Sequence, residues 1–347
     1  MKLAMSSGYG NESLTLARQL GATHVDAGGQ LIGSSDRGYY EFQDLLLLKQ
    51  KIEDAGLKWA VLGGVPQDWC DKIKLGLPGR DEQIENWCRS LRNMGAAGVP
   101  VLGYFFSLRC RDGNYGLRTS KTTRGRGGAI VPSFDYDLVQ GARQDYWDPP
   151  VSEEQEVTDE QMWENLAYFL KAVIPVAEEA GVRMALHPDD PPISPIAGVA
   201  RIMRSHAALK RFIEIEPSDY NGLWFCQGTV SEMPGNVLDA IRYFGCRDKI
   251  FYVHFRNVTG TVPAFSETFI DEGHVDALEA MLTYKEVGYE GALMYDHVPG
   301  LGVDGEKNHT SVAFAVGYMR ALLDAANGEA GQLLLRHRAL AGGQSDS

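Results

Sequence analysis

The feature that most constrains this chain is an alternation of short apolar runs with longer amphipathic stretches. The runs are Leu3–Ser6, Thr23–Ala27, Lys58–Leu62, Val99–Phe105, Arg183–His187, Leu223–Cys226, Ile250–Phe255 and Ala292–Asp296. Between them lie helical stretches such as Asn11–Leu20, Leu45–Ala55, Arg80–Gly95, Asp159–Ala180, Val237–Phe244, Asp276–Glu286 and Ser311–Ala326. Short runs that are apolar throughout suit strands buried on both faces, and parallel strands need a long crossover between them. Gly56, Gly181 and Gly288 each stand where a predicted helix stops and a strand begins, as expected of helix C-caps. Asp276 stands three residues before Glu279, the spacing of a capping box. Eight strand–helix units in sequence predict a parallel sheet closed on itself, a (β/α)₈ barrel. Two doubly wound domains would show the same alternation, but no glycine-rich dinucleotide fingerprint follows the first strand. The expectation is therefore one barrel domain over residues 1–330.

Two segments depart from the alternation. Residues 107–150 are long for a strand–helix connection. They form an insertion after the fourth strand, at the end of a barrel where active sites are built; a surface excursion or an oligomer contact would account for them equally. Residues 331–347 end in Gly-Gly-Gln-Ser-Asp-Ser and are expected to fray.

Charge narrows the function. The 347 residues include 33 Lys and Arg against 46 Asp and Glu, a net charge of −13, and 44% are hydrophobic. That content excludes a disordered chain, and the mean field repels nucleic acids and anionic membranes. No apolar stretch approaches the ~18 residues of a membrane span, and no apolar leader follows Met1, so a cytoplasmic location is expected. Five cysteines without close pairs argue against a disulfide framework.

The last residues of the four late strands are His187, Cys226, His254 and Asp296, separated by 39, 28 and 42 residues. Each interval fits one strand–helix unit, so a barrel brings the four side chains to one rim. Taken singly, each has an ordinary role as a packed histidine, a small buried thiol or a helix cap. Two imidazoles, a thiolate and a carboxylate at successive strand ends form a full ligand set for a divalent metal, Zn²⁺ included. Nearby, His187-Pro188-Asp189-Asp190-Pro191-Pro192 holds two carboxylates in a stiff turn, Arg256 and Asn257 follow a ligand, and His297 follows Asp296. Asp190, Arg256 and Asn257 are candidate substrate contacts. Alternatively, Asp189 or Asp190 caps a helix and Arg256 pairs with an acid such as Glu267. The insertion carries Arg109, Arg111, Arg118, Lys121, Arg124 and Arg126 against Asp112 alone, a local charge of +5. Arg118, Lys121 and Arg124 could attract an anionic ligand to the metal rim; a salt-bridged loop would use the same residues differently.

These residues resemble the mannonate dehydratases, metal-dependent enzymes of the xylose-isomerase-like group of TIM barrels. The likeness runs through Ile73–Asp81 with the following Ile-Glu-Asn, Phe169–Gly181, the His187–Pro192 turn, His254–Val258 and Asp296-His297. It implies that His187, Cys226, His254 and Asp296 bind Mn²⁺ or Fe²⁺, with Mn²⁺ preferred. It also implies loss of water from D-mannonate to give 2-keto-3-deoxy-D-gluconate, with His297 catalytic, and a homo-oligomer, dimer or tetramer. A metal facing the carboxylate and neighbouring hydroxyl makes the adjacent proton removable, and an acid must protonate the departing hydroxyl.

The chain also departs from the family pattern. Ser7-Gly8-Tyr9 replaces an Arg-Trp pair, Ser107-Leu-Arg-Cys replaces a Trp-Thr-Arg segment, and Met294 replaces an arginine. A catalytic tyrosine beyond Asp296 is absent, and Asn308-His309-Thr310-Ser311 stands there. His309 can take its place, ahead of Tyr295 or Tyr318. This pattern suggests another sugar acid as substrate. The rivals are a sugar isomerase or epimerase on the same barrel, and a metal-bearing binding protein without catalysis.

Overall fold

The computed structural model describes the chain except residues 7–9, 29–36, 111–116, 140–146, 152–155, 305–307 and 343–347. Its strands are β1 Lys2–Ser6, β2 His24–Gly28, β3 Lys58–Gly63, β4 Val101–Phe105, β5 Arg109–Cys110, β6 Ser120–Arg124 and β7 Ile130–Asp135. They continue as β8 Trp147–Asp148, β9 Arg183–His187, β10 Asn221–Cys226, β11 Ile250–His254, β12 Val258–Thr261, β13 Ala264–Glu267 and β14 Ala292–Met294. The eight runs expected as strands close into a barrel in the order β1-β14-β11-β10-β9-β4-β3-β2. β1 completes the ring, pairing parallel to β2 through Ala4 and His24 and to β14 through Lys2 and Ala292.

The helices are α1 Asn11–Gln19, α2 Phe42–Asp54, α3 Asp71–Leu75, α4 Arg80–Ala97, α5 Asp159–Ala180 and α6 His206–Ile215. Then come α7 Gln227–Glu232, α8 Val237–Gly245, α9 Ala277–Glu286, α10 His309–Asn327 and α11 Glu329–Gly342. α5 shows how local sequence sets such an element. Thr158 and Gln161 form a reciprocal capping box at its start, and Gly181 ends it at φ 68°. Met162, Leu166, Phe169, Leu170, Val173 and Ala177 are buried at helical spacing, and the Phe169 ring packs edge-on to Trp87 at 4.9 Å. At α9 only half of the expected box forms. Asp276 accepts from Glu279 N at 3.0 Å, but the Glu279 carboxylate turns to Arg338.

The barrel interior is filled by Trp224, whose ring lies 5.4 Å from that of Phe105 and 5.4 Å from that of Tyr252. Gly103 makes room for it, since a Cβ there would sit 2.6 Å from the indole.

Two expectations change. The insertion is not an open loop: β6 and β7 join the hairpin of β12 and β13 in an antiparallel sheet ordered β12-β13-β7-β6, and β5 pairs with β8. A separate small core holds it, with Leu108, Leu117, Phe134, Trp147 and Phe265 buried together. These strands bury one residue in three or so on a polar background, so no apolar run marks them. Residues 331–342 continue α11. That helix is tied to α9 by Arg338, which pairs with Glu279 and lies 3.4 Å from Glu286, contacts invisible in local composition. Among the described residues, no helix is long and apolar enough to cross a membrane.

Candidate active site

His187, Cys226 and His254 are the last residues of β9, β10 and β11. Cys226 and His254 face each other in register, as do Phe105 and His187. Asp296 lies two residues beyond β14. One potential ligand atom from each of the four falls within 4.8 Å of all the others. Cys226 Sγ is 3.5 Å from Asp296 Oδ2, and His254 Nδ1 is 3.3 Å from Asp296 Oδ1. His187 Nδ1 lies 2.7 Å from the Pro188 carbonyl; a carbonyl can only accept, so Nδ1 carries the proton and Nε2 keeps its lone pair.

The residues fit a metal ion on two counts. Neither ring nitrogen of the buried His254 makes a well-aligned hydrogen bond, Nδ1 having only the Asp296 carboxylate at 3.3 Å, which is costly unless something else engages them. Burial pulls the His187 imidazole down and so keeps it neutral, as a ligand must be. The Asp296 carboxylate, despite burial, is held well below its usual range by His297, His254 and Arg256.

Beside this cluster stands a buried network of guanidiniums and carboxylates. Arg118 makes a fork with Asp190, Nη1 to Oδ1 at 2.6 Å and Nη2 to Oδ2 at 2.9 Å, and its Nε donates to Glu267 at 3.0 Å. Arg256 Nη1 donates to Asp190 Oδ2 at 2.8 Å and lies 3.2 Å from Asp296 Oδ2, while Nη2 pairs with Glu232. Burial alone would raise Asp190, but Arg118 and Arg256 carry it well below the carboxylate range. Gly228 permits this arrangement, because a Cβ there would lie 2.0 Å from Arg256 Nε. Thr229 Oγ1 joins the two halves, 3.2 Å from Cys226 Sγ and 3.4 Å from Asp190 Oδ2. The pairing of Arg256 with Glu267, one alternative read from the sequence, is present at 3.3 Å. Asp189 caps no helix; it accepts from Met203 N at 2.8 Å.

His297 is the accessible member, with 43% of its side chain exposed against 12% for Asp296 and 7% for His254. Its Nδ1 lies 2.9 Å from Glu267 Oε1 and 3.1 Å from Arg256 Nη1. Burial lowers the imidazole, but Asp296 and Glu267 outweigh it and the net direction is up. The remaining sequence candidates have other surroundings. Asn257 is buried and serves backbone, donating to Val275 O at 2.7 Å and accepting from Val275 N at 3.2 Å. Lys121 and Arg124 are exposed on β6, and Arg124 donates to Gly128 O at 2.9 Å. His309 is exposed at the start of α10, which the Asp304 carboxylate caps through Thr310 N and Ser311 N.

The insertion is therefore less of a bare positive field than its +5 charge suggests. Arg109 lies 3.3 Å from Asp148, Arg118 is clamped by Asp190 and Glu267, and Arg126 pairs with Asp271 at 2.8 Å. Arg111 falls outside the described residues. Carboxylates from distant parts of the chain neutralise much of the stretch.

Glu232 and Asp26 escaped the sequence reading, which named Glu267 only as a partner for Arg256. Glu232 and Glu267 lie within 4.8 Å of Asp190, brought there by α7 and by the sheet built from the insertion. Asp26 of β2 is buried under the cluster; it accepts from Tyr252 Oη at 3.1 Å, and burial pushes it up to about 6. The signal for Asp26 was there, a lone acid inside an apolar run.

A model of the family described as D-mannonate dehydratase (UxuA) matches residues 9–329. The chain belongs to the mannonate dehydratase family. It is 35% identical over 292 residues to the mannonate dehydratase of Streptococcus pneumoniae, covering 78% of this chain and 77% of the relative. The crystal structure of mannonate dehydratase from Streptococcus suis serotype 2 superposes with a TM-score of 0.81 at 30% identity, over 94% of each chain. A xylose isomerase domain protein from Planctomyces limnophilus shares the fold, with a TM-score of 0.57 at 13% identity over 93% of this chain and 96% of that one. In this chain the four candidate ligands sit on an eight-stranded barrel, beside an antiparallel sheet built from the insertion and the hairpin of β12 and β13.

Proposed function

We propose that this protein is a hydro-lyase that dehydrates a sugar acid, D-mannonate or a close relative, to the 2-keto-3-deoxy acid. The observation that carries the reading is the half-exposed His297 beside a buried set of four ligands and backed by Glu267. His187, Cys226, His254 and Asp296 would hold the divalent metal, Mn²⁺ ahead of Fe²⁺ or Zn²⁺. When bound, the metal supplies Lewis-acid polarisation of the substrate's carboxylate and neighbouring hydroxyl.

The residues of the chain divide the remaining work. Glu267 accepts from Nδ1 of His297, which makes Nε2, 3.5 Å from Asp296 Oδ1, the ring nitrogen that would take the proton from the carbon beside the carboxylate. The electron pair left behind expels the hydroxyl at the next carbon, which leaves as water after protonation. His309 is the candidate acid, because α10 follows β14 and its start belongs to the same mouth. Arg118, Asp190, Arg256 and Asn257 already bond protein partners, so their role is to hold the site in shape rather than to grip the substrate. Lys121 and Arg124 remain the exposed cations that could meet its carboxylate.

The test is incubation of the Mn²⁺-loaded protein with D-mannonate, other aldonates and ketoses, followed by mass spectrometry. Loss of one water from an aldonate is expected. A mass-neutral change would assign isomerisation instead, and no change across the panel would remove the lyase reading.

A further inference from the structure

The opposite mouth of the barrel holds a separate cavity of about 500 Å³, within the size range of small-molecule sites. It opens where strands begin: Lys2, His24, Lys58 and Arg183 are the first residues of β1, β2, β3 and β9, and all four line it. The metal cluster sits at the other ends of the strands, so the two sites are separated by the barrel core.

The charge of this mouth is opposite to that of the chain. Lys2, Lys49, Lys58 and Arg183 line it against the single carboxylate Glu53, in a protein of net charge −13. Two of the cations have partners: Arg183 donates to Asp248 at 2.8 Å, and Lys49 donates to Ala97 O and lies 3.9 Å from Glu53. The ammonium groups of Lys2 and Lys58 have no hydrogen bond or ion pair among the described residues. Glu290, which feels the Lys2 charge, already holds the N-terminal ammonium at 2.9 Å. His24 sits between the two lysines, since β2 pairs with β1 through Ala4 and with β3 through Lys58. Burial first, then Lys2 and Lys58, push its imidazole down to about 4. Two uncompensated ammonium groups, on β1 and β3 with β2 between them, repel each other at one barrel mouth unless an anion joins them. The apolar part of the cavity is formed by Trp59 and Phe251.

We propose that this mouth binds a small organic phosphate, with the phosphate among Lys2, His24 and Lys58 and the organic body against Trp59 and Phe251. A dianion with three acceptor oxygens suits a mouth lined by two ammonium groups and an imidazole better than a single carboxylate does. The site is independent of the dehydratase reading.

The test uses the full-length metal-loaded protein, with phenyl phosphate as probe and inorganic phosphate and benzoate beside it. Calorimetry reads affinity, and NMR of the His24 ring reads its titration. Phenyl phosphate is expected to bind more tightly than either comparison ligand and to raise the His24 pKa by about one unit or more. Lys2→Gln with Lys58→Gln should weaken binding at least tenfold, while Lys171→Gln on the outer face of α5 should leave it unchanged. An unmoved His24 at saturation would overturn the proposal. So would equal weakening by Lys171→Gln, or binding insensitive to the double substitution, which would place the ligand elsewhere. Inorganic phosphate or benzoate binding as tightly as phenyl phosphate would also overturn it.

Discussion

Glu267 Oε1 lies 2.9 Å from His297 Nδ1, which ties the end of β13 to the residue after Asp296. The contact exists because the hairpin of β12 and β13 is held over the barrel mouth by β7 of the insertion. His297→Ala is expected to retain the metal, measured by elemental analysis, while turnover falls about 10²- to 10⁴-fold, the usual contribution of a general base. Parental turnover would take His297 out of the mechanism.

Glu267→Gln keeps the shape of the side chain but loses the charge that orients the imidazole. It should lower kcat about 10- to 100-fold, the scale of orienting partners around a metal site, with KM little changed. Glu267→Asp is expected to recover part of the loss. A change confined to KM would instead assign Glu267 to substrate binding.

Cys226→Ser replaces a soft thiolate with a hydroxyl at a fully buried ligand position. Metal content after dialysis should drop at least about tenfold, and activity with it. Full metal occupancy in this variant would sink the ligand assignment.

Arg118 is 5% exposed at its side chain and pairs with Asp190 and Glu267, themselves 7% and 3% exposed. Arg118→Met leaves two buried carboxylates without that partner. Thermal denaturation should show a loss of about 3–5 kcal/mol, the usual cost of breaking a buried pair from one side. Arg118→Lys should rescue little, because an ammonium cannot reproduce the two-pronged contact.

His24 contributes to the pH dependence of stability away from the metal site. His24 titrates at about 4 in the folded protein against 6.5 when unperturbed. Between those values the unfolded chain binds more protons, so His24 makes the protein less stable as pH falls from about 6.5 to about 4. The side chain is only half-buried, and screening limits the effect to about 1–2 kcal/mol. Denaturant titrations at pH 7 and near pH 4.5 should show a smaller acid loss for His24→Gln than for the parent. An equal loss in both would assign the acid sensitivity to other groups.

What the amino-acid order determined by itself is the barrel and the meeting of His187, Cys226, His254 and Asp296 at its rim. Eight apolar runs separated by amphipathic helices leave a closed parallel sheet as the economical way to bury both faces, and in such a sheet side chains at successive strand ends must meet. Local signals were enough because strand periodicity and helix caps act over a few residues, as at Thr158 and Gly181 around α5. Only the tertiary structure decided what surrounds that rim. Arg118 finds Glu267 across 149 residues and Asp190 across 72, and no local pattern encodes which carboxylate will neutralise which guanidinium. The same holds for α11, which is held by Arg338 against α9, and for the sheet over the mouth, whose strands bury too few residues to announce themselves. Hydrophobic burial writes itself into sequence as a period; charge pairing in a buried site depends on which distant segments the fold brings together.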